Sequence, residues 1–241
     1  MSQTPLLETK NLTVRFGGVT AVNNVNFTLK EQELRCLIGP NGAGKSTFFK
    51  LLTGQLQPSE GHVHLRGKDI SGAFPHQISR LGIGIKTQVP NVFNAMTVQE
   101  NLWIAARQKH TPKFCNDLVE SIMTQLRLTG IAKREVGQLS HGQRQWVEIG
   151  TVLAGEPDLI LLDEPAAGMT HDEVERTAEL ILEINKKRAL VVVEHDMQFI
   201  KKIAKTVTVL HQGAVLIEDD VRTALQDTRV QDVYLGKGLS V

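Results

Sequence analysis

The stretch Gly39 to Ser46, GPNGAGKS, constrains the fold of this chain more than any other. It fits G-x-x-x-x-G-K-[ST], a loop whose backbone N–H groups surround phosphate oxygens. The pattern is informative only between a strand and a helix, and both are predicted here. Leu34-Arg35-Cys36-Leu37-Ile38 reads as a buried strand, and Ser46 to Leu52, with Phe48, Leu51 and Leu52 on one face, reads as a helix. Gly42 and Gly44 let the backbone curl so that successive N–H groups point inward. The following helix N-terminus adds its positive dipole end. Lys45 is placed to reach the β/γ-phosphates, and the Ser46 hydroxyl to hold Mg²⁺.

At 241 residues the chain has room for one large α/β domain, or for a core with a smaller satellite. Lys+Arg 27 against Asp+Glu 26 gives no global charge that would favour nucleic acid or an anionic membrane. No apolar run approaches the roughly 20 residues that span a bilayer. The start, MSQTPLLETK, lacks a basic-then-apolar signal pattern, so a cytosolic location is expected. Cys36 and Cys115 support neither a disulfide framework nor a cysteine metal site.

Residues 6 to 35 read as β-rich, with Leu12, Val14 and Phe16, then Val25, Phe27 and Leu29, alternating with polar partners around Gly17-Gly18. Phe16 alone reads as either a core residue or an aromatic that stacks on adenine. His62-Val63-His64-Leu65 is a further strand, its two histidines on a solvated face. Residues 97 to 153 become helical. Thr97 with Glu100 and Ser140 with Gln143 are capping boxes, and a helix between them is expected from Asp117 to Leu128. Trp146, Ile149, Gly150 and Leu153 share one buried face. The apolar runs Leu159-Ile160-Leu161-Leu162 and Leu190-Val191-Val192-Val193 read as parallel strands covered on both faces. A helix from about Thr170 separates them, and a hairpin around Gln212-Gly213 precedes a short polar helix.

In an open α/β sheet, ligands sit at the carboxyl ends of the strands. The phosphate loop, Asp163-Glu164 and His195 all fall there, so they can converge on one nucleotide. Asp163 suits Mg²⁺, and Glu164 suits polarisation of an attacking water. Neighbouring side chains on a strand point opposite ways, but at its end the turning backbone lets both face the site. His195 reads as a strand-end hydrogen bonder or as a contact to the γ-phosphate.

Three further motifs stand in order. Gln88 lies in GIGIKTQVPNVF, Leu139-Ser140-His141-Gly142-Gln143 opens a helix, and His195 ends a strand. With the phosphate loop they make the chain resemble the nucleotide-binding subunit of ATP-binding-cassette (ABC) transporters over essentially its whole length. The resemblance implies a P-loop NTPase core with an N-terminal antiparallel β subdomain and an inserted α-helical subdomain. The whole would be one domain over residues 6–236, with the insertion at about 90–153. It implies ATP and Mg²⁺ as ligands, with Glu164, His195 and Lys45 catalytic. Gly39, Pro40, Asn41, Gly42, Ala43, Gly44, Lys45, Ser46 and Thr47 would bind the phosphates, and Phe16 would stack on adenine. Ser46, Gln88 and Asp163 would hold the metal. Ser140, His141, Gly142 and Gln143, normally L-S-G-G-Q with the preceding leucine, would meet the γ-phosphate bound by a second subunit packed head to tail.

Two stretches resemble the subgroup serving branched-chain amino acid and urea importers: Ser140 to Trp146 (SHGQRQW) and Asp163 to Thr170 (DEPAAGMT). Together with the tail Val233-Tyr234-Leu235-Gly236 they look most like the urea-type subunit. The implied partners are membrane permease subunits, a second ABC subunit (a copy or a sister) and, indirectly, an extracytoplasmic solute-binding protein. Nucleic acid is not implied. The implied place is the cytoplasmic face of the cell membrane. Two positions depart from the broad pattern. His141 replaces a glycine, as a phosphate contact or a solvent-facing side chain. Thr170 replaces an aspartate; with Glu173 it still caps a helix, but an interface carboxylate is lost and weaker coupling between two ATP sites is expected. A branched-chain amino acid importer and a soluble non-transport ABC ATPase are the alternatives.

Overall fold

The computed structural model describes residues 4–235. The chain opens with β1 (Leu7–Phe16) and β2 (Val19–Leu29), antiparallel across the turn at Gly17 and Gly18. β3 (Leu34–Ile38) runs into the phosphate loop and α1 (Lys45–Leu52). β4 (Glu60–Leu65) and β5 (Lys68–Asp69) complete an antiparallel sheet in the order β2-β1-β4-β5. Next come α2 (Pro75–Arg80) and β6 (Ile83–Lys86), then α3 (Val98–Arg107), α4 (Pro112–Gln125) and α5 (His141–Leu153). The core resumes with β7 (Leu159–Asp163), α6 (His171–Asn185), β8 (Ala189–Val193) and α7 (Met197–Ile203). β9 (Thr206–His211), β10 (Ala214–Asp220), α8 (Val221–Gln226) and α9 (Thr228–Leu235) finish it.

The second sheet runs β10-β9-β3-β8-β7-β6, parallel except for the β10 edge. Its central strands β7 and β8 are apolar at nearly every position because alternate residues serve two cores. Leu34, Cys36 and Ile38 of β3, with Ile160, Leu162, Leu190 and Val192, pack towards the helical side. Leu37, with Leu159, Leu161, Val191 and Val193, packs against α1 and the antiparallel sheet. In α1, Phe48, Phe49, Leu51 and Leu52 are all buried in that second core. Phe48 has no exposed surface and meets Phe27 edge-on, with ring centroids 5.6 Å apart. Phe48→Ala should therefore cost about 3–5 kcal/mol of stability, read by thermal or denaturant unfolding.

The expected α/β core, antiparallel N-terminal sheet and helical block between strands all form. One local expectation is corrected. The middle helix of the block starts at Pro112, five residues before Asp117, with proline in its first turn after Thr111. Cys115 is consequently a core-facing helical residue with no exposed surface. The edge strand β6 falls in the GIGIK run, where Gly84 interrupts the apolar pattern that marks β7 and β8. A Cβ at Gly84 would press on Val152 and Pro157, so α5 and the start of β7 require the gap. Gly236 of the tail lies outside the described residues.

Candidate active site

The phosphate loop is held open by close backbone approach. Gly39 (φ 150°) leaves no room for a Cβ beside the Leu210 carbonyl, and a Cβ on Gly44 (φ 99°) would sit 2.5 Å from the Ala21 carbonyl oxygen. Neither position admits a side chain, and both φ values favour glycine. Gly44 caps α1 with no side chain, so the first-turn N–H groups of Lys45, Ser46 and Thr47 have no partner inside the helix. Asn41, Gly42 and Ser46 are exposed, while Ala43 is buried and Pro40 half-buried. The Lys45 ammonium bends back over the loop, donating to the Gly39 and Pro40 carbonyls at 2.6 and 2.9 Å. Burial pushes its pKa down, opposed by the charges of Glu164 and Asp163.

The acidic pair ends β7. Asp163 is 9% exposed, and its Oδ1 is buried with no hydrogen-bond partner. Burial, then the adjacent Glu164 charge, pushes its carboxyl above the usual range. A buried carboxylate oxygen without a donor is what a cation would satisfy, and the exposed Ser46 hydroxyl is a second hard oxygen, so the residues fit Mg²⁺. Glu164 adopts φ 47°, a left-handed conformation costing a non-glycine residue about 1 kcal/mol or more. That turn is how consecutive residues of a strand both reach one site. Its Oε1 lies 3.5 Å from His195 Nδ1, so the two expected catalytic groups are neighbours.

Phe16 is 49% exposed at the end of β1, so core packing does not account for it. Gln88 is exposed in the loop leaving β6. The signature residues lie elsewhere. Ser140 caps α5 and its hydroxyl also donates to Glu173 Oε1 at 2.9 Å. His141 Nε2 is 3.0 Å from the Ala167 carbonyl oxygen. Gly142 is buried, and Gln143 completes the capping box, its Oε1 accepting from the Ser140 N–H. Among the described residues none of the four hydrogen-bonds to the phosphate loop.

Sequence reasoning missed three buried charges behind the acidic pair. Lys86, 3% exposed, points its ammonium at the Asp163 carbonyl oxygen, 3.4 Å away. Glu148, 4% exposed on α5, and Glu194, 1% exposed, face the same region. Glu194 accepts from the Ala166 and His195 N–H groups at 3.1 and 3.2 Å, tying the segment after Glu164 to the histidine. Burial pushes both carboxyls up and the lysine down. The available signal was a charge inside an apolar stretch: Lys86 after GIGI, and Glu148 between Val147 and Ile149. Tyr234, though 36% exposed, turns its hydroxyl to the Gly39 backbone, and desolvation of that hydroxyl pushes the phenol up to about 12.

An open parallel sheet with a phosphate loop, an acidic strand end and a histidine beside it defines a nucleotide-hydrolysing domain. The ABC transporter family profile matches residues 22–167, more than half of the chain. The chain is 35% identical to the high-affinity branched-chain amino acid transport ATP-binding protein BraF of Pseudomonas aeruginosa, covering 97% of this chain and 98% of that one. It is 36% identical to LivG of Escherichia coli, a protein of the same description, covering 98% and 100%. Among solved structures it is similar to a nucleotide-free ATP-binding cassette from an ABC transporter, with TM-score 0.87, 29% identity, and 95% and 98% coverage. It is also similar to a dimeric post-hydrolysis cassette bound to ADP and Pi, with TM-score 0.78, 26% identity, and 90% and 99% coverage. The chain belongs to the ABC transporter family as an ATPase, in the subgroup that holds these branched-chain amino acid cassettes.

Proposed function

We propose that this chain hydrolyses ATP at a site completed by a second ABC subunit, and so powers urea import through separate membrane permease subunits. The observation that carries the two-subunit reading is the placement of the signature. Ser140 and His141 are exposed on the α5 N-terminus; beyond α5 itself their side chains bond to their own chain's 167–173 segment, and not to its phosphate loop. A head-to-tail partner would bring them to the γ-phosphate bound by the other subunit. The dimeric post-hydrolysis cassette is consistent with that assembly. Residues 6–236 act as one nucleotide-binding domain, with the helical block at about 90–153 moving against the core.

In this site Phe16 stacks on adenine, the loop N–H groups and Lys45 hold the phosphates, and His195 contacts the γ-phosphate. Glu164 accepts a proton from the attacking water as its oxygen bonds to phosphorus and the β–γ bridging bond breaks. Ser46, Gln88 and Asp163 would hold Mg²⁺, which when bound would neutralise charge on the phosphates. Phe16→Ala should raise KM for ATP about tenfold, the scale of one base–aromatic stack, with kcat little changed in steady-state hydrolysis.

No helix among the described residues is long and apolar enough to cross a membrane. On the proposed reading the solute crosses through separate permease subunits, and the chain sits against the cytoplasmic face of the membrane. Beside Gln88 runs a groove of about 490 Å³ between β6, α3 and α5, with Val89 (75% exposed) and Phe93 (58% exposed) at its rim. An exposed apolar rim over a groove fits a permease helix, and its contact with the Gln88 loop would carry the motion. An extracytoplasmic solute-binding protein would feed the permease from the other side.

The urea assignment rests on the combined SHGQRQW, DEPAAGMT and tail stretches. The names of the curated relatives favour a second reading, a branched-chain amino acid importer. Uptake of labelled urea and of labelled leucine in cells lacking this subunit separates them. Loss of urea uptake alone is expected. Loss of leucine uptake alone would move the chain to the amino acid system.

A further inference from the structure

The signature motif and the segment after the catalytic glutamate meet, within one subunit, at a single carboxylate. Glu173 is the third residue of α6. Its Oε2 accepts from the Thr170 N–H at 3.1 Å and the Thr170 hydroxyl at 3.2 Å, closing a capping box. Its Oε1 takes the Ser140 hydroxyl at 2.9 Å. Gly142 lies directly beneath, where a Cβ would overlap the Glu173 carboxyl. Next to it, His141 Nε2 meets the Ala167 carbonyl oxygen and leaves ordinary van der Waals room at Gly168. Three consecutive signature residues thus rest on residues 167–173. The Thr170 N–H holds the Glu173 carboxyl below its usual range, so it is an anion at neutral pH.

A serine hydroxyl has one proton to donate. In the two-subunit site the Ser140 hydroxyl donates to the γ-phosphate bound by the other subunit. Glu173 and that phosphate then compete for one O–H, and both are anions. We propose that Glu173 is a positioning residue that gates the signature serine: closure over ATP requires Ser140 to pass its hydrogen bond from Glu173 to the γ-phosphate. Glu173 therefore sets the ATP concentration at which the pair closes, and does not set the rate of bond cleavage. It also supplies, one turn into α6, the carboxylate that Thr170 lacks. When Ser140 leaves it, Glu173 remains bonded to Thr170 alone, so ATP at the partner's site is felt at the end of this subunit's own catalytic segment. The inference rests on the reading that the signature faces the second subunit's ATP.

The test is steady-state ATP hydrolysis by the full chain carrying Glu173→Gln, Ser140→Ala or both. Glutamine serves at the third helical position of a capping box, so Glu173→Gln keeps the cap while removing the charge. Glu173→Gln is expected to lower KM for ATP about five- to tenfold, as removal of a close like charge should, with kcat within about twofold. Ser140→Ala is expected to raise KM, and in its presence Glu173→Gln should no longer lower it. A structural role for Glu173 would not produce that dependence on the Ser140 hydroxyl. If Ser140→Ala raises KM but Glu173→Gln leaves it unchanged, or raises it together with a lower melting temperature, the gate is overturned and the two-subunit reading stands. If neither substitution moves KM, the signature does not meet ATP, and both fail.

Discussion

Glu164→Gln is expected to slow ATP hydrolysis about 10²- to 10⁴-fold, the usual contribution of a positioned general base, while leaving ATP binding intact. Glu164 is 29% exposed, its carboxylate lies 3.5 Å from His195 Nδ1, and its backbone takes the left-handed turn that aims it into the site. Glutamine has nearly the same shape and the same backbone preference, so the turn at φ 47° should survive. What disappears is the carboxylate proposed to accept the water proton. On the two-subunit reading, in which the pair stays closed until ATP is cleaved, the variant should accumulate as an ATP-bound closed dimer, visible by sedimentation with ATP and absent without it. A variant that keeps its turnover and gains no ATP-dependent dimer would remove Glu164 from the role of base.

Lys45→Ala is expected to weaken ATP binding about 10²- to 10³-fold, matching the loss of a charge partner to a buried anion. The Lys45 ammonium is half-buried and already lies within the loop, bonded to the Gly39 and Pro40 carbonyls. Exchanging those two acceptors for phosphate oxygens needs little movement, so the loop is organised around a cation before ATP arrives. The fold should tolerate the change, because the loop backbone is fixed independently by the Gly213 N–H to Ala43 carbonyl bond and by the tight packing at Gly39 and Gly44. Calorimetric titration with ATP measures the loss. Binding within about threefold of the unsubstituted chain, a difference under about 0.7 kcal/mol, would mean the phosphates lie elsewhere.

Much of this arrangement could be read from the chain because its signals are local. A strand, a glycine loop and an amphipathic helix in succession specify β3, the phosphate loop and α1 within 19 residues, Leu34 to Leu52. The runs at Leu159 and Leu190 are apolar at every position because both sheet faces are covered. The capping boxes at Thr97, Ser140 and Thr170 each set a helix start, and all three form. What could not be read depends on distant neighbours. Lys86, Glu148 and Glu194 are 62 and 46 residues apart in sequence, and only the sheet and α5 bring them behind Asp163. A lone charge in an apolar stretch looks like an exposed position until the opposite charges across it are known. The same holds for Glu173. Its capping role is visible three residues from Thr170, whereas its hydrogen bond to Ser140, 33 residues away, follows from how α5 and α6 pack.

On the proposed reading, one ATP site is built from the phosphate loop of one subunit and the signature of another. The most direct measurement is ATP hydrolysis by Lys45→Ala chains, by Ser140→Ala chains, and by an equal mixture of the two. At ATP near the unsubstituted KM, each variant alone should turn over far below the unsubstituted rate, because every site in either pair lacks one half. In the mixture, a pair containing one of each has one site with both halves intact, so turnover should rise well above the sum of the separate rates. A Ser140→Ala chain that hydrolyses ATP at the unsubstituted rate, or a mixture that shows only the sum, would contradict the two-subunit site.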